Sequence, residues 1–332
     1  EGSRLLTGKA TVAESARFAL QLMARSIQKA GYRGCNSKIV PGDIVSDVPY
    51  EFNLTAGIQG FNAEGTTWSP EIASMLPVSN RGDDTNVYLA SGTGIKTSAY
   101  DDCAVNGCLK NGADILTLRF ADSKEYRVDT ENFPVTTGAE QVVIDGVLTD
   151  VEKDFDQYHL VFINDCTARD VFVVTDMAPA GAGQTRISHN VGGYGSTRNL
   201  QALLGKGRGY SSGTTVMGIG SHTYFIGASV NRNSQGNRVD ALFRKSGLDA
   251  PRELVEGVED LQIMYGVDTA GTALAPDIFM DASQITDFND VIVVHVEITV
   301  NSVDDVGSAA VDGILRRKFS QTVHLRNRLV KG

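Results

Sequence analysis

The sequence predicts an α+β chain in which one long amphipathic helix is followed by mostly antiparallel β structure. Three observations predict it. An apolar stripe at helical spacing runs through residues 12–30. Short β-branched and aromatic runs bounded by turn residues follow from Ala113 onward. No strand–helix alternation of the kind that builds a parallel sheet occurs, and no internal repeat. Glycine supplies 35 of 332 residues, above its usual share, as β folds with many turns require.

Val12, Ala16, Ala19, Met23, Ile27 and Ala30 recur at spacings of three and four, which places them on one stripe of a helix. Leu5, Leu20 and Leu22 extend its apolar character, and Glu14, Arg17, Gln21 and Gln28 occupy the opposite side. No proline or glycine interrupts residues 9–30, and Gly31 is placed to end the helix. From Leu5 to Ala30 such a helix spans about 40 Å, enough for a spine. The chain opens Glu1-Gly2-Ser3-Arg4, without methionine, and enters this pattern with no cap. That reads as a chain cut inside a helix, so a membrane segment is expected in the native protein. The expected organisation is a truncated spine helix at 1–34 and a β-rich globular domain at 35–332. Its Gly-, Ser-, Thr-, Asn- and Asp-rich residues 36–110 form a loop-rich excursion.

Strands are expected at Ile115–Phe120, Gln141–Ile144, Tyr158–Ile163 and Val171–Val174, then at 222–230, 240–244, 260–266, 290–300 and 316–326. Residues 178–215 read as glycine-rich loop, with a short helix around Asn199 to Leu204.

Composition narrows the function. Hydrophobic residues at 42% and charged residues at 21% are ordinary globular values, and a net charge of −10 argues against general affinity for nucleic acid through phosphate neutralisation. No direct nucleic-acid binding is predicted. No stretch approaches the roughly 20 apolar residues that cross a bilayer. Four cysteines, Cys35, Cys103, Cys108 and Cys166, stand at scattered positions with no C-x-x-C pair. That suits two disulfides in an exported protein better than a zinc site, and three pairings are open.

Gly209-Tyr210-Ser211-Ser212-Gly213 spells G-x-S-x-G, yet a nucleophile elbow needs a strand before the serine and a helix after it, and neither flank has that pattern. Gly205, Gly207 and Gly209 lack dinucleotide-loop spacing, and Arg81-Gly82-Asp83 is a bare tripeptide. His159, His189, His222, His295 and His324 are dispersed, with no metal-binding pair. Asp165, Asp170 and Asp176 surround a strand and Asp268, Asp277 and Asp281 bracket a loop, without EF-hand spacing, and read as solvated loop charges. No catalytic, cofactor or metal site is expected.

Glu14 to Cys35, with its Arg17-Phe18-Ala19-Leu20 and Ala30-Gly31-Tyr32-Arg33-Gly34-Cys35, closely resembles the post-membrane helix of PilW-type minor pilins. Ala113–Arg119, Asn164–Phe172, Glu253–Asp268 and Arg317–Arg328 continue the resemblance in family order. It implies a type IV pilin- or pseudopilin-like fold and a non-catalytic role in priming pilus assembly within a tip complex. Implied partners are other minor pilins, the major pilin and a tip adhesin. The implied location is the inner membrane, anchored through the missing helix half with a periplasmic domain, and later the pilus at the cell surface. The stripe Val12, Ala16, Ala19, Met23, Ile27 and Ala30 would then serve both packing and assembly. Twitching and DNA uptake would depend on the protein. Cys35 and Cys166 fall inside family-like motifs and Cys103 and Cys108 outside them, which implies the pairs Cys35–Cys166 and Cys103–Cys108. Where PilW-like sequences carry an acidic, glycine-rich run after Tyr265-Gly266-Val267-Asp268, this chain has Thr269 to Pro276 with no carboxylate, which weakens any calcium site there. The competing readings are the large minor pseudopilin of a type II secretion system and a secreted serine hydrolase built on Ser211.

Overall fold

The first helix runs Gly2–Lys29 in the computed structural model, which describes residues 2–35, 39, 41–44, 46–48, 50–70, 109–157, 159–181, 183–194, 197–203, 207–247, 249–269 and 275–327. The helix stops at Gly31, whose φ of 74° lies in the left-handed region that glycine adopts without a side-chain clash. Its last carbonyls, those of Gln28, Lys29 and Ala30, each accept from the Asn327 amide at 3.2–3.4 Å. A residue almost 300 positions away therefore supplies the cap that the local sequence lacks.

The chain divides into two compact units, the first comprising 1–30, 58–118 and 221–332 and the second 31–57 and 119–220. In the first unit the helix packs its stripe into a large core. That core includes Leu116 and Leu118, Tyr224 and Leu242, and the buried residues of Val258–Val267 and Val291–Asn301. Strands Ile278–Met280, Val258–Val267, Val291–Asn301 and Arg316–His324 lie side by side in that order, all antiparallel. The alternation along Val291–Asn301 puts Val294, Val296, Ile298 and Val300 inside and leaves His295, Glu297 and Thr299 half-exposed. A second sheet of this unit is ordered Arg252–Glu256, Arg238–Ser246, the later part of Thr215–Arg232, Ile115–Ala121, Ile58–Glu64 and Thr67–Ser69.

In the second unit the hairpin Leu160–Asn164 and Arg169–Val173 pairs with the start of Thr215–Arg232. Strands Gln141–Asp145, Gln184–Ser188 and Asp176–Gly181 form a further sheet, and Ser46–Asp47, Thr197–Asn199 and Gly192–Tyr194 another. Among the described residues of this unit, one core forms around Phe155, Phe172 and Val216 and another around Phe52, Phe162 and Met217.

The expected α+β, pilin-like plan is corrected. Strand accounts for 44% of the structure and helix for 17%, so the class is mostly β. Among the described residues the α-helices are Gly2–Lys29 and Leu148–Val151. The strands expected at 141–144, 158–163 and 171–174 are present in the second unit as Gln141–Asp145, Leu160–Asn164 and Arg169–Val173, but the plan of one helix followed by one sheet domain does not describe two units. Within 178–215, expected as loop, run most of Asp176–Gly181 and all of the short strands Gln184–Ser188, Gly192–Tyr194 and Thr197–Asn199, the last ending at Asn199, where a short helix was expected to begin. Asn199 explains part of this. Its side-chain oxygen accepts from Val173 N and its amide donates to Val173 O, both at 2.8 Å, so a side chain mimics the backbone of a neighbouring strand. Cys103, Cys108, Arg81-Gly82-Asp83, Gly205 and most of the expected 36–110 excursion lie outside the described residues.

Candidate assembly surface

Val12, Ala16, Ala19, Met23 and Ile27 are fully buried and Ala30 is almost so, all within the first unit's own core. The stripe singled out from sequence is thus occupied by the unit's own sheet. Fully burying a methionine-sized side chain stabilises by roughly 1.5–3 kcal/mol, which makes the stripe a major support of the unit. Two polar ties fix the helix over the sheet. Ser26 Oγ shares hydrogen bonds with His222 Nδ1 at 2.9 Å and with Tyr224 Oη at 2.8 Å. Burial, with the nearby charges of Arg244 and Lys29, pushes the His222 imidazole down to about 4, so it is neutral at pH 7. Farther along, Gly8 is buried, and a Cβ there would stand 2.8 Å from Val306 Cγ1, so the helix passes that loop at glycine distance.

The face left to solvent carries different residues. Leu6 is 67% exposed and Phe18 52%, with the exposed cations Arg17 and Arg25 near Phe18 in sequence. Sequence reasoning did not single out Leu6 or Phe18, because periodicity finds the buried stripe and is silent about isolated apolar residues off it. Beside this face an open groove of about 340 Å3 runs between the helix and strand Arg316–His324, lined by Ala13, Arg17, Leu20, Gln21, Phe319 and Gln321.

Strand Arg316–His324 is an edge of the four-stranded sheet, and residues 316–327 hold Arg316, Arg317, Lys318 and Arg326 with no carboxylate. Arg316 reaches Glu259 at 3.1 Å and Asp312 at 2.8 Å, and Lys318 reaches Glu297 at 2.6 Å. Arg17 and Arg317 have no ion pair among the described residues. The opposite edge, Ile278–Met280, lies between Asp277 and Asp281, with Ile278 45% and Phe279 44% exposed. Asp277 accepts from the Thr269 amide and hydroxyl, both at 3.0 Å, and Asp281 accepts from the Ser283 amide at 2.9 Å.

The remaining sequence candidates are drawn into structural work. Cys35 and Cys166 form a disulfide in the second unit, as the resemblance implied. Cys166 sits at φ 69°, a conformation costing a non-glycine residue roughly 1–2 kcal/mol. The turn around it is held by Asp165, which accepts from the Thr167 and Ala168 amides at 3.0 and 2.6 Å. The same carboxylate accepts from Ser211 Oγ at 2.9 Å and pairs with Arg208 at 2.8 Å. Burial alone would raise the Asp165 carboxyl, but the hydrogen bonds from Ala168, Thr167 and Ser211 overrule it and hold it well below the usual range. So Ser211 faces a strongly ionised, fully engaged acceptor, and the segment after it enters strand Thr215–Arg232 rather than a helix. The solvated-charge reading is corrected for Asp165 and for Asp170, which is buried and accepts from Tyr210 Oη at 2.7 Å.

His189 is buried against the Phe172 ring, centroids 4.7 Å apart, and burial pushes it down to about 4. His159 pairs with Asp156 at the surface, and His295 meets Thr322 Oγ1 at 2.9 Å. Among the described residues no group of three His, Cys, Asp or Glu side chains is placed to hold a metal ion, and no helix is long and apolar enough to cross a membrane.

The family model of type IV pilus-assembly protein W matches residues 223–327, about a third of the chain. That span contains all four strands of the sheet under the helix, both of its edges, and the Asn327 cap. No curated protein and no solved structure matches the chain.

Proposed function

We propose, from the PilW-type character of residues 223–327, that this chain is a minor pilin that helps to prime type IV pilus assembly and joins the complex at the pilus tip. The match itself supports involvement in pilus assembly and an envelope or pilus association. The minor-pilin role, the tip position and a membrane anchor are the further steps of the proposal, and they are drawn from the family match and the ordered family-like segments, not from the fold class. The carrying observation is that the matched segment contains the whole helix-covered four-stranded sheet with both of its edges. A non-catalytic role agrees with how the one serine motif is used, since Ser211 serves a turn carboxylate. Proposed partners are other minor pilins, the major pilin and a tip adhesin.

Deletion of the gene, with surface pili counted by shearing and electron microscopy, tests this. Loss of pili, twitching and DNA uptake, restored by the full-length gene carrying Ser211→Ala, is the expected result. Intact piliation with blocked export of folded enzymes would replace the reading with a secretion pseudopilin. Failure of Ser211→Ala to restore pili, in a variant that folds normally, would reopen the hydrolase reading.

A further inference from the structure

The four-stranded sheet of the first unit ends in two strands of opposite character. Strand Arg316–His324 pairs on one side with Val291–Asn301 and, among the described residues, with no strand on the other. The bonds Leu325 N to Ile292 O and Ser302 N to Leu315 O set the phase of this ladder. With the register unbroken between them, odd-numbered residues of the strand face the sheet, and Lys318, Ser320 and Thr322 turn their backbone N–H and C=O groups outward. Charges guard only the first third of this edge, and Phe319 to His324 include no Asp, Glu, Lys or Arg. A long edge with an uncharged stretch is a template for a further strand. The groove lined by Leu20, Gln21, Phe319 and Gln321 lies beside that stretch.

The other edge complements it. Ile278–Met280 pairs with Val258–Val267 and, among the described residues, with no strand beyond. It presents Ile278 and Phe279 between the carboxylates of Asp277 and Asp281, next to Met264, which is 37% exposed. Four strands joined only by antiparallel pairings leave the two edges running in opposite directions. A second copy displaced along the sheet would therefore bring its Ile278–Met280 edge antiparallel to Arg316–His324. Two copies related by a two-fold axis would instead set like edge against like, basic against basic or acidic against acidic.

We propose that these edges are the two halves of a heterologous contact, the basic edge Arg316–His324 of one copy receiving the acidic, apolar edge Ile278–Met280 of a second copy of this chain. Backbone hydrogen bonds extend the sheet, Phe279 and Ile278 lose exposed apolar area, and Asp277 and Asp281 face Arg317 of the cationic edge and Arg17 of the helix beside it. A three-residue strand supports few ladder bonds, which puts the contact in the small, weak class, with a dissociation constant of roughly 0.1 mM for the free chain. The inference does not depend on the pilus-assembly reading, and its test measures association alone.

Sedimentation velocity of the full chain, from about 10 µM to about 1 mM, reads it directly. The weight-average mass should rise with concentration without a dimer plateau, and the rise should weaken as salt increases. Ser320→Pro removes one outward amide and no ladder bond, while Phe279→Lys removes the apolar centre of the other edge and adds a like charge toward the basic one. Each variant alone should stay monomeric while melting as the wild type does. An equimolar mixture of the two should form a 1:1 dimer and nothing larger, because each supplies the edge the other lacks. A wild type that stays monomeric to the highest concentration overturns the proposal. So does association that both variants retain, or a mixture of monomeric variants that fails to pair, since the contact then lies elsewhere or is two-fold.

Discussion

The two units solve the same stability problem with different means. The largest core of the first unit joins the helix to the sheet, and non-covalent contacts between residues far apart in sequence, such as Ser26 to His222 and Asn327 to the helix end, tie it. The second unit has two smaller cores and a covalent link between residues 131 positions apart. Their carboxylates differ in the same sense. In the first unit burial pushes Asp114 up to about 6, against the amides of Ala63 and Ile263 that it accepts, and raises Glu253 as well. In the second unit Asp129, Asp154 and Asp165 are held below the usual range by hydrogen bonds from turn and surface partners, against a burial effect that for Asp154 and Asp165 is the largest single influence. Asp114 thus accepts two amides from inside the first unit, whereas Asp129, Asp154 and Asp165 accept at turns and near the surface of the second.

The sharpest way to break this comparison is to remove the support particular to each unit. Replacing Cys35 and Cys166 by serine should cost the second unit about 5 kcal/mol in the chain-entropy account, for a loop of this length. Met23→Ala should cost the first unit about 2–5 kcal/mol through the cavity it leaves. Trp68 is the single tryptophan and lies in the first unit, buried, with its Nε1–H donated to Ala113 O at 2.9 Å. Its fluorescence therefore follows that unit, and amide exchange at 160–173 follows the other. Met23→Ala should shift the Trp68 transition, and the cysteine variant should strip protection from 160–173 while leaving Trp68 largely in place. If both variants moved both probes equally, the units would be one cooperative body and the comparison would fail.

Acid sharpens the comparison further. His189 in the second unit and His222 in the first both have folded values of about 4 against an ordinary 6.5. As pH falls from 6.5 toward 4 the unfolded chain binds protons before the folded one, so each histidine removes stability, by about 3 kcal/mol at pH 4. Asp114 works in the opposite direction in the first unit. Its folded form takes a proton near pH 6, before the unfolded form does near 3.8, so the same descent adds about 2.4 kcal/mol by pH 4. In the second unit Asp129, Asp150, Asp154 and Asp165 are lowered instead and give no such return. Exchange protection at 160–173 should therefore decline between pH 6.5 and 4.5 while Trp68 fluorescence holds. His189→Phe should flatten the decline, and an unchanged slope in that variant would remove His189 as its cause.

How much of this was legible in the sequence follows the same division. The helix stripe and the strand at 290–300 could be read because each buries one face at a regular period, and those at 115–120, 141–144 and 260–266 because they are short runs rich in β-branched and other apolar residues. The strands within 176–199 could not, because their pairing depends on partners such as Asn199 at Val173 that no local window contains. Cys35 and Cys166 emerged as partners through family-like context, since spacing left three pairings open. The exposed residues Leu6, Phe18 and Phe279 were missed, because a residue outside the periodic face has no signal of its own until the sheet edges are known.

The smallest expected effect concerns the helix cap. Asn327 offers one amide group to the carbonyls of Gln28, Lys29 and Ala30, at distances of 3.2–3.4 Å. Those oxygens are among the last four of the helix and have no partner within it. Asn327→Ala should cost about 1 kcal/mol, the usual net worth of such a bond, and should show as faster amide exchange in residues 26–30 with a slight shift of the Trp68 transition. Asn327→Asp keeps the shape but turns an acceptor toward three acceptors, and places a negative charge at the negative end of the helix dipole, so it should be worse than alanine. Asn327→Lys restores a donor and supplies the favourable charge, so it should fall between alanine and the wild type. If alanine and aspartate behaved alike, the amide would not be capping the helix, and the link between the matched segment's far end and the helix would be packing alone.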